Sequence, residues 1–165
     1  MLLKDGARYL PYRYKNELEL QHLVQSNIHQ LFGPDAFFFP GVRIGAGRGH
    51  NGAKSIPGGF VLVVPKKKWY IVEVELADHS YFDHIVPQVM RFYAAWEDTS
   101  RRNELKDRFT DAIQESPVKV ETLSRHGIKE VYRFVSDMLE QEPTLAVVIN
   151  EEVKDLDQLK SVVQF

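Results

Sequence analysis

The stretch WYIVEVEL, residues 69–76, decides how this chain folds. Successive side chains on a strand point to opposite faces. On that template Tyr70, Val72, Val74 and Leu76 face one way, and Ile71, Glu73 and Glu75 face the other. Two carboxylates therefore share one face of an otherwise apolar strand, about 7 Å apart. Like charges at that spacing repel unless a cation or hydrogen-bond donors lie between them. A solvent-facing polar stripe on an edge strand is the plainer alternative, and Ile71 on the same face argues against it.

Working outward, FVLVV (60–64) is an apolar, β-branched run suited to a buried strand. Pro65-Lys66-Lys67-Lys68 supplies a turn, so residues 60–76 read as a hairpin. Upstream, GAGRGHNGAKSIPGG (45–59) has little apolar content and reads as a loop. AFFFPGVRI (36–44) reads as a strand interrupted by Pro40 and Gly41, after a Pro34-Asp35 turn. Asn16 is placed to cap a helix running to about Phe32, with Leu18, Leu20, Leu23, Val24, Ile28 and Leu31 at helical spacing. Downstream, a helix is expected over about 80–96, containing Pro87. Further helices are expected to Gln114, after Pro117, and over 128–140, with a possible break at Gly127. Then come a strand at TLAVVIN (144–150) and a closing helix over 155–162. The sum is one α/β domain over 1–165, with a mixed β-sheet flanked by helices. Its core covers about 15–96 and 144–165, and residues 97–143 form a helical insert with no assigned role.

The totals narrow the function classes. The chain has 165 residues, with 44% hydrophobic and 27% charged, ordinary values for a globular domain. It has no cysteine, which removes disulfides, thiolate metal sites and cysteine nucleophiles. No apolar run approaches the roughly 20 residues that span a bilayer. The first residues lack the apolar core of a signal peptide. No membrane role and a cytoplasmic location are therefore expected. The net charge of −2 leaves attraction to phosphate to local patches. Arg8, Arg13 and Lys15 among tyrosines form one. Arg43, Arg48, His50 and Lys54 in the glycine-rich loop form another.

The polar residues around the hairpin make a pattern. An acidic pair, Glu17 and Glu19, opens the first helix. Pro57-Gly58-Gly59-Phe60 opens one strand, Glu73-x-Glu75 lies in the next, and Gln88 with Phe92 follows in a helix. This pattern resembles the PD-(D/E)XK, or restriction-endonuclease-like, nuclease superfamily, whose core order is α-β-β-β-α-β. The resemblance implies metal-dependent hydrolysis of phosphodiester bonds, with Mg²⁺ or Mn²⁺ as cofactor. It implies nucleic acid, DNA foremost, as substrate, and a possible homodimer that would cut both strands. It assigns Glu17 and Glu73 to the metal, and Glu73, Glu75 and Gln88 to catalysis. Glu75 stands where lysine is usual, and Phe92 where tyrosine is usual. Arg43, Arg48, Lys54 and Gln88 are the expected nucleic-acid contacts. The main departure is Gly58, which stands where the family's metal-binding aspartate is expected. It leaves two readings open: a nuclease impaired at this position, or a non-catalytic relative that binds nucleic acid or protein. A glycine here also admits a left-handed backbone, which an aspartate would strain.

Overall fold

The two apolar runs flanking Pro65 become neighbouring strands because each can be buried on both faces. A computed structural model describes residues 2–10, 12–41, 58–77 and 81–151, excluding the side chains of residues 2–4, 9, 81–86, 88 and 89. The chain begins with β1 (Leu2–Lys4), β2 (Ala7–Tyr9), α1 (Glu17–Ser26) and α2 (Ile28–Phe32). It continues through β3 (Ala36–Pro40), β4 (Gly59–Val63), β5 (Lys68–Glu75) and α3 (Tyr81–Glu97). It ends with α4 (Thr99–Gln114), α5 (Pro117–Arg125), α6 (Val131–Leu139) and β6 (Thr144–Ile149).

This is an α/β fold around a mixed four-stranded sheet of order β3-β4-β5-β6. The first three strands are antiparallel, and β6 runs parallel to β5. A parallel partner needs a long crossover, and helices α3–α6 provide it. β5 is thus interior, and β3 is an edge that can tolerate Pro40, which has no N–H to donate. The β4–β5 turn closes with Lys67 N–H donating to Val64 O at 3.2 Å, and Lys67 takes a left-handed φ of 48°.

Alternation sorts the sheet's side chains into two cores. Val61, Val63, Val72 and Val74 pack on Leu20 and Val24 of α1. Phe60, Leu62, Trp69 and Ile71 pack on the opposite layer, with Phe92, Phe109 and Ile113 among their neighbours. Residues 97–143, read as a helical insert with no assigned role, contribute to that second layer. They supply most of the helical cover on one face of the sheet. The rings of Phe39 and Phe109 stack with centroids 4.3 Å apart. Trp69 Nε1 donates to Gln141 O at 2.8 Å, and Trp96 Nε1 donates to Leu139 O at 3.0 Å. Asp35, in the expected turn before β3, meets Arg125 at 3.2 Å and His126 at 2.8 Å.

Two further elements differ from expectation. The first helix is broken at Asn27, whose side-chain amide donates to Leu23 O at 2.8 Å. Asparagine competes for helix carbonyls in this way, so the apolar spacing continues while the helix does not. The strand expected from residue 36 with an interruption at Pro40 and Gly41 is β3, which runs to Pro40, and residues 42–44 lie outside the described residues. The small hairpin β1–β2 is unanticipated. Its signal is Asp5-Gly6, with φ of 53° and 76°, a pair suited to a tight two-residue hairpin turn. The helix expected over 155–162 lies outside the described residues. The expected insert helices are present, with a turn at Gly127 (φ 73°).

Candidate functional site

Glu73 and Glu75 lie on β5 facing the α3–α6 side of the sheet, with β4 and β6 on either flank. Both are buried, at 5% and 2% exposure. The solvent-facing edge stripe is thereby excluded. Placing an acidic group in such a setting is unfavourable unless it is paired or neutral. Burial pushes the Glu73 carboxyl up to about 8; the Gly58 backbone N–H opposes this, while Glu75 and Glu17 add to it. Glu73 Oε2 is buried with no hydrogen-bond partner among the described residues. Glu73 is therefore held largely as the neutral acid at pH 7, with one oxygen unsatisfied.

Gly58 stands just before β4, which places it beside Glu73, since Gly59 pairs with Val72. It contributes backbone rather than a side chain. Its N–H supports Glu73, and its carbonyl accepts from Gln21 Nε2 at 2.9 Å. Its φ lies outside the left-handed range, so the anticipated strain on an aspartate is absent. A Cβ here would meet Val72 O at 3.1 Å and Val74 Cγ2 at 3.2 Å, which asks for shifts of a few tenths of an ångström. Gly59 differs. A Cβ there would lie 2.3 Å from the Phe38 ring, so this glycine is required by space.

Helix α1 approaches from the other layer. Asn16 Oδ1 accepts from Glu19 N–H at 3.0 Å, and Glu19 in turn accepts from Lys15 N–H at 2.8 Å and from Tyr12 OH. This reciprocal arrangement resembles a capping box. It holds the Glu19 carboxyl below its ordinary range, the Lys15 N–H bond contributing most. Glu19 thus acts at the helix start. Glu17 is the acidic residue whose charge reaches Glu73. Gln21 is the contact that sequence reasoning missed. It lies one helical turn beyond Glu17, and that i, i+4 spacing was the available signal. At the far end of the strand, Asn150 Oδ1 accepts from Ala77 N–H at 2.8 Å, tying the ends of β5 and β6 together beside Glu75.

The remaining expected residues divide. Phe92 is core, 2% exposed, and touches the same layer as Trp69. Gln88 falls in α3, but its side chain lies outside the description. Arg43, Arg48 and Lys54 are outside the described residues. Trp69 and Trp96 are structural, with Trp69 1% exposed.

Among the described residues, no three acidic or histidine side chains converge as a metal-binding group. Glu73 and Glu75 nevertheless offer hard oxygen donors, one of them unsatisfied. Mg²⁺ commonly uses one or two protein carboxylates and completes its shell with water and substrate phosphate. The donor chemistry therefore suits such a cation, which Glu73 and Glu75 would hold. Compared with known proteins, the chain matches no family model, no curated protein and no solved structure.

Proposed function

We propose that this chain is a nuclease-family domain of the restriction-endonuclease-like type, hydrolysing phosphodiester bonds in DNA with Mg²⁺ or Mn²⁺, and weakened by Gly58. The observation that carries the reading is the buried carboxyl pair on an interior strand, with Glu73 Oε2 unpartnered. A fold does not by itself retain a buried acid such as Glu73 for stability, because leaving one of its oxygens unsatisfied is unfavourable. A bound cation would neutralise charge on the phosphate and activate a water. Glu73 and Glu75 would hold it, with the Gly58 N–H fixing one side of Glu73. Gln21 would hold the Gly58 peptide in place, and Gln88 would orient nucleic acid. In this reading the domain is cytoplasmic, and a homodimer would cut both strands. No helix among the described residues is long and apolar enough to cross a membrane.

A second reading has its own support. Position 58 gives Glu73 a backbone donor where the family would place a charged ligand. That favours a non-catalytic relative that binds nucleic acid or protein. One assay separates them. The chain, Gly58→Asp, Glu73→Gln and Glu75→Gln are compared on DNA and RNA with Mg²⁺ or Mn²⁺. Metal binding is followed by calorimetry, and folding by circular dichroism. The nuclease reading expects Gly58→Asp to tighten metal binding and raise cleavage by roughly 100-fold, the scale of a restored catalytic group. Each glutamine variant should abolish cleavage. A folded Gly58→Asp that binds no more metal and cuts no better leaves the binding-module reading.

A further inference from the structure

The basic turn at the start of β5 stands well away from the carboxylates. Seven steps along the strand separate Lys68 from Glu75, roughly 23 Å. At that remote end lies a cavity of about 290 Å³ between the β4–β5 turn, the loop joining α5 to α6, and one face of α6. Phe134 and Met138, 8% and 1% exposed, are its buried apolar lining, and Ile128 adds a half-buried wall. Lys67, Lys129 and Arg133 also line it. None of these three cations forms an ion pair among the described residues.

The frame is built before any ligand arrives. After α5, Gly127 takes a φ of 73° and Ile128 N–H donates to Leu123 O at 2.9 Å, a helix-ending motif that fixes the loop. The Trp69 bond to Gln141 O anchors the chain just after α6 to β5. Lys67 is set by its own left-handed turn. Two acids share the lining, Glu130 and Asp137. Three cations less two acids leave a lining charge of +1, on a chain whose net charge is −2. Glu130 also sits at the N-cap of α6, where the helix dipole offsets part of its charge. Lys66 and Lys68 adjoin the cavity in sequence and add to the positive field.

We propose that this cavity binds a small organic anion: an aromatic or branched apolar body seated on Phe134 and Met138, with a single anionic group facing Lys67, Lys129 and Arg133. The size sets the class. An enclosed cavity near 150 Å³ accommodates benzene, so this one has room for one or two rings with a head group. Apolar lining with a few convergent polar groups is the usual make-up of a ligand site. This site is independent of the proposed nuclease chemistry.

The test is an amide-resolved NMR titration of the full chain with 2-naphthoate and with its uncharged counterpart, 2-naphthylmethanol. The expected result is saturable shifts over residues 66–69 and 127–141, with naphthoate binding about tenfold tighter, the scale of one charge-assisted hydrogen bond. Lys67→Met and Arg133→Met should each remove most of that preference, while Arg133→Lys, which keeps the charge, should retain much of it. Both positions are solvent-exposed, so folding should survive, and the dispersion of the same spectra checks it. Equal affinity for acid and alcohol, shifts centred on residues 73–77, or no saturable shift with either probe would each overturn the proposal.

Discussion

Trp69 and Glu73 stand four residues apart on the same face of β5, and both are buried, yet their polar atoms are treated differently. The Trp69 N–H is satisfied by Gln141 O at 2.8 Å. The Glu73 carboxyl has one side supported by Gly58 and Oε2 unpartnered. Folding normally satisfies what it buries. The start of the strand thus reads as scaffold. Its end carries a local cost, a buried oxygen left unsatisfied among the described residues.

The sharpest way to break this comparison is to remove each side chain in turn. Trp69→Ala should destabilise the fold by roughly 3–5 kcal/mol, from the lost aromatic packing and cavity. Denaturant melts should show the same loss at pH 5 and pH 9. A loss much below that range would make the start of β5 less of a scaffold than its burial implies.

Glu73 should behave in the opposite sense. Its folded pKa is raised from an ordinary value of 4.5 to about 8. The native state therefore holds a proton that the unfolded state releases between those values. Stability is full below about 4.5, falls as pH rises through that window, and levels off above about 8. The loss by pH 9 should be on the order of 4 kcal/mol. Glu73→Gln should flatten this dependence and be the more stable protein at pH 9. A wild-type melt that does not weaken from pH 5 to pH 9 would remove the distinction between the two ends.

The adjacent glycines sharpen the comparison further. Gly59→Ala would drive a methyl into the Phe38 ring and should cost about 1–3 kcal/mol. Gly58→Ala meets Val72 O at 3.1 Å with ordinary backbone angles, and should cost less than about 1 kcal/mol. Equal costs in thermal melts would mean that position 58 is as sterically fixed as 59, and that no acidic side chain fits there. A comparably small effect is expected at the start of α1. Asn16→Ala should cost about 1 kcal/mol by loss of its cap to Glu19, measured by urea titration at pH 7.

Much of this was legible in local pattern. Period-two alternation put Glu73 and Glu75 on one face, and the Asn16 cap, the Pro65 turn and the Pro34-Asp35 turn were written in residue type. Each depends on neighbours a few residues away, where backbone geometry leaves few choices. Asp5-Gly6 was equally local and was overlooked. The break at Asn27 was less accessible, because apolar spacing continues across it while a side-chain amide interrupts the helix.

Other features depended on residues far apart in sequence. Whether the carboxylates were wet or buried turned on β6 arriving beside β5 after a crossover of four helices. Burial, not residue type, is what raises Glu73. The Gln21 contact spans 37 residues, and Trp69 finds its acceptor 72 residues away. The cationic turn parted from the carboxylates because a strand holds its two ends apart. By itself the sequence determined the period of each strand and helix, the turns, and the placing of two acids on one face. Only the tertiary structure decided which face lost its water, because desolvation comes from distant layers that no local pattern records.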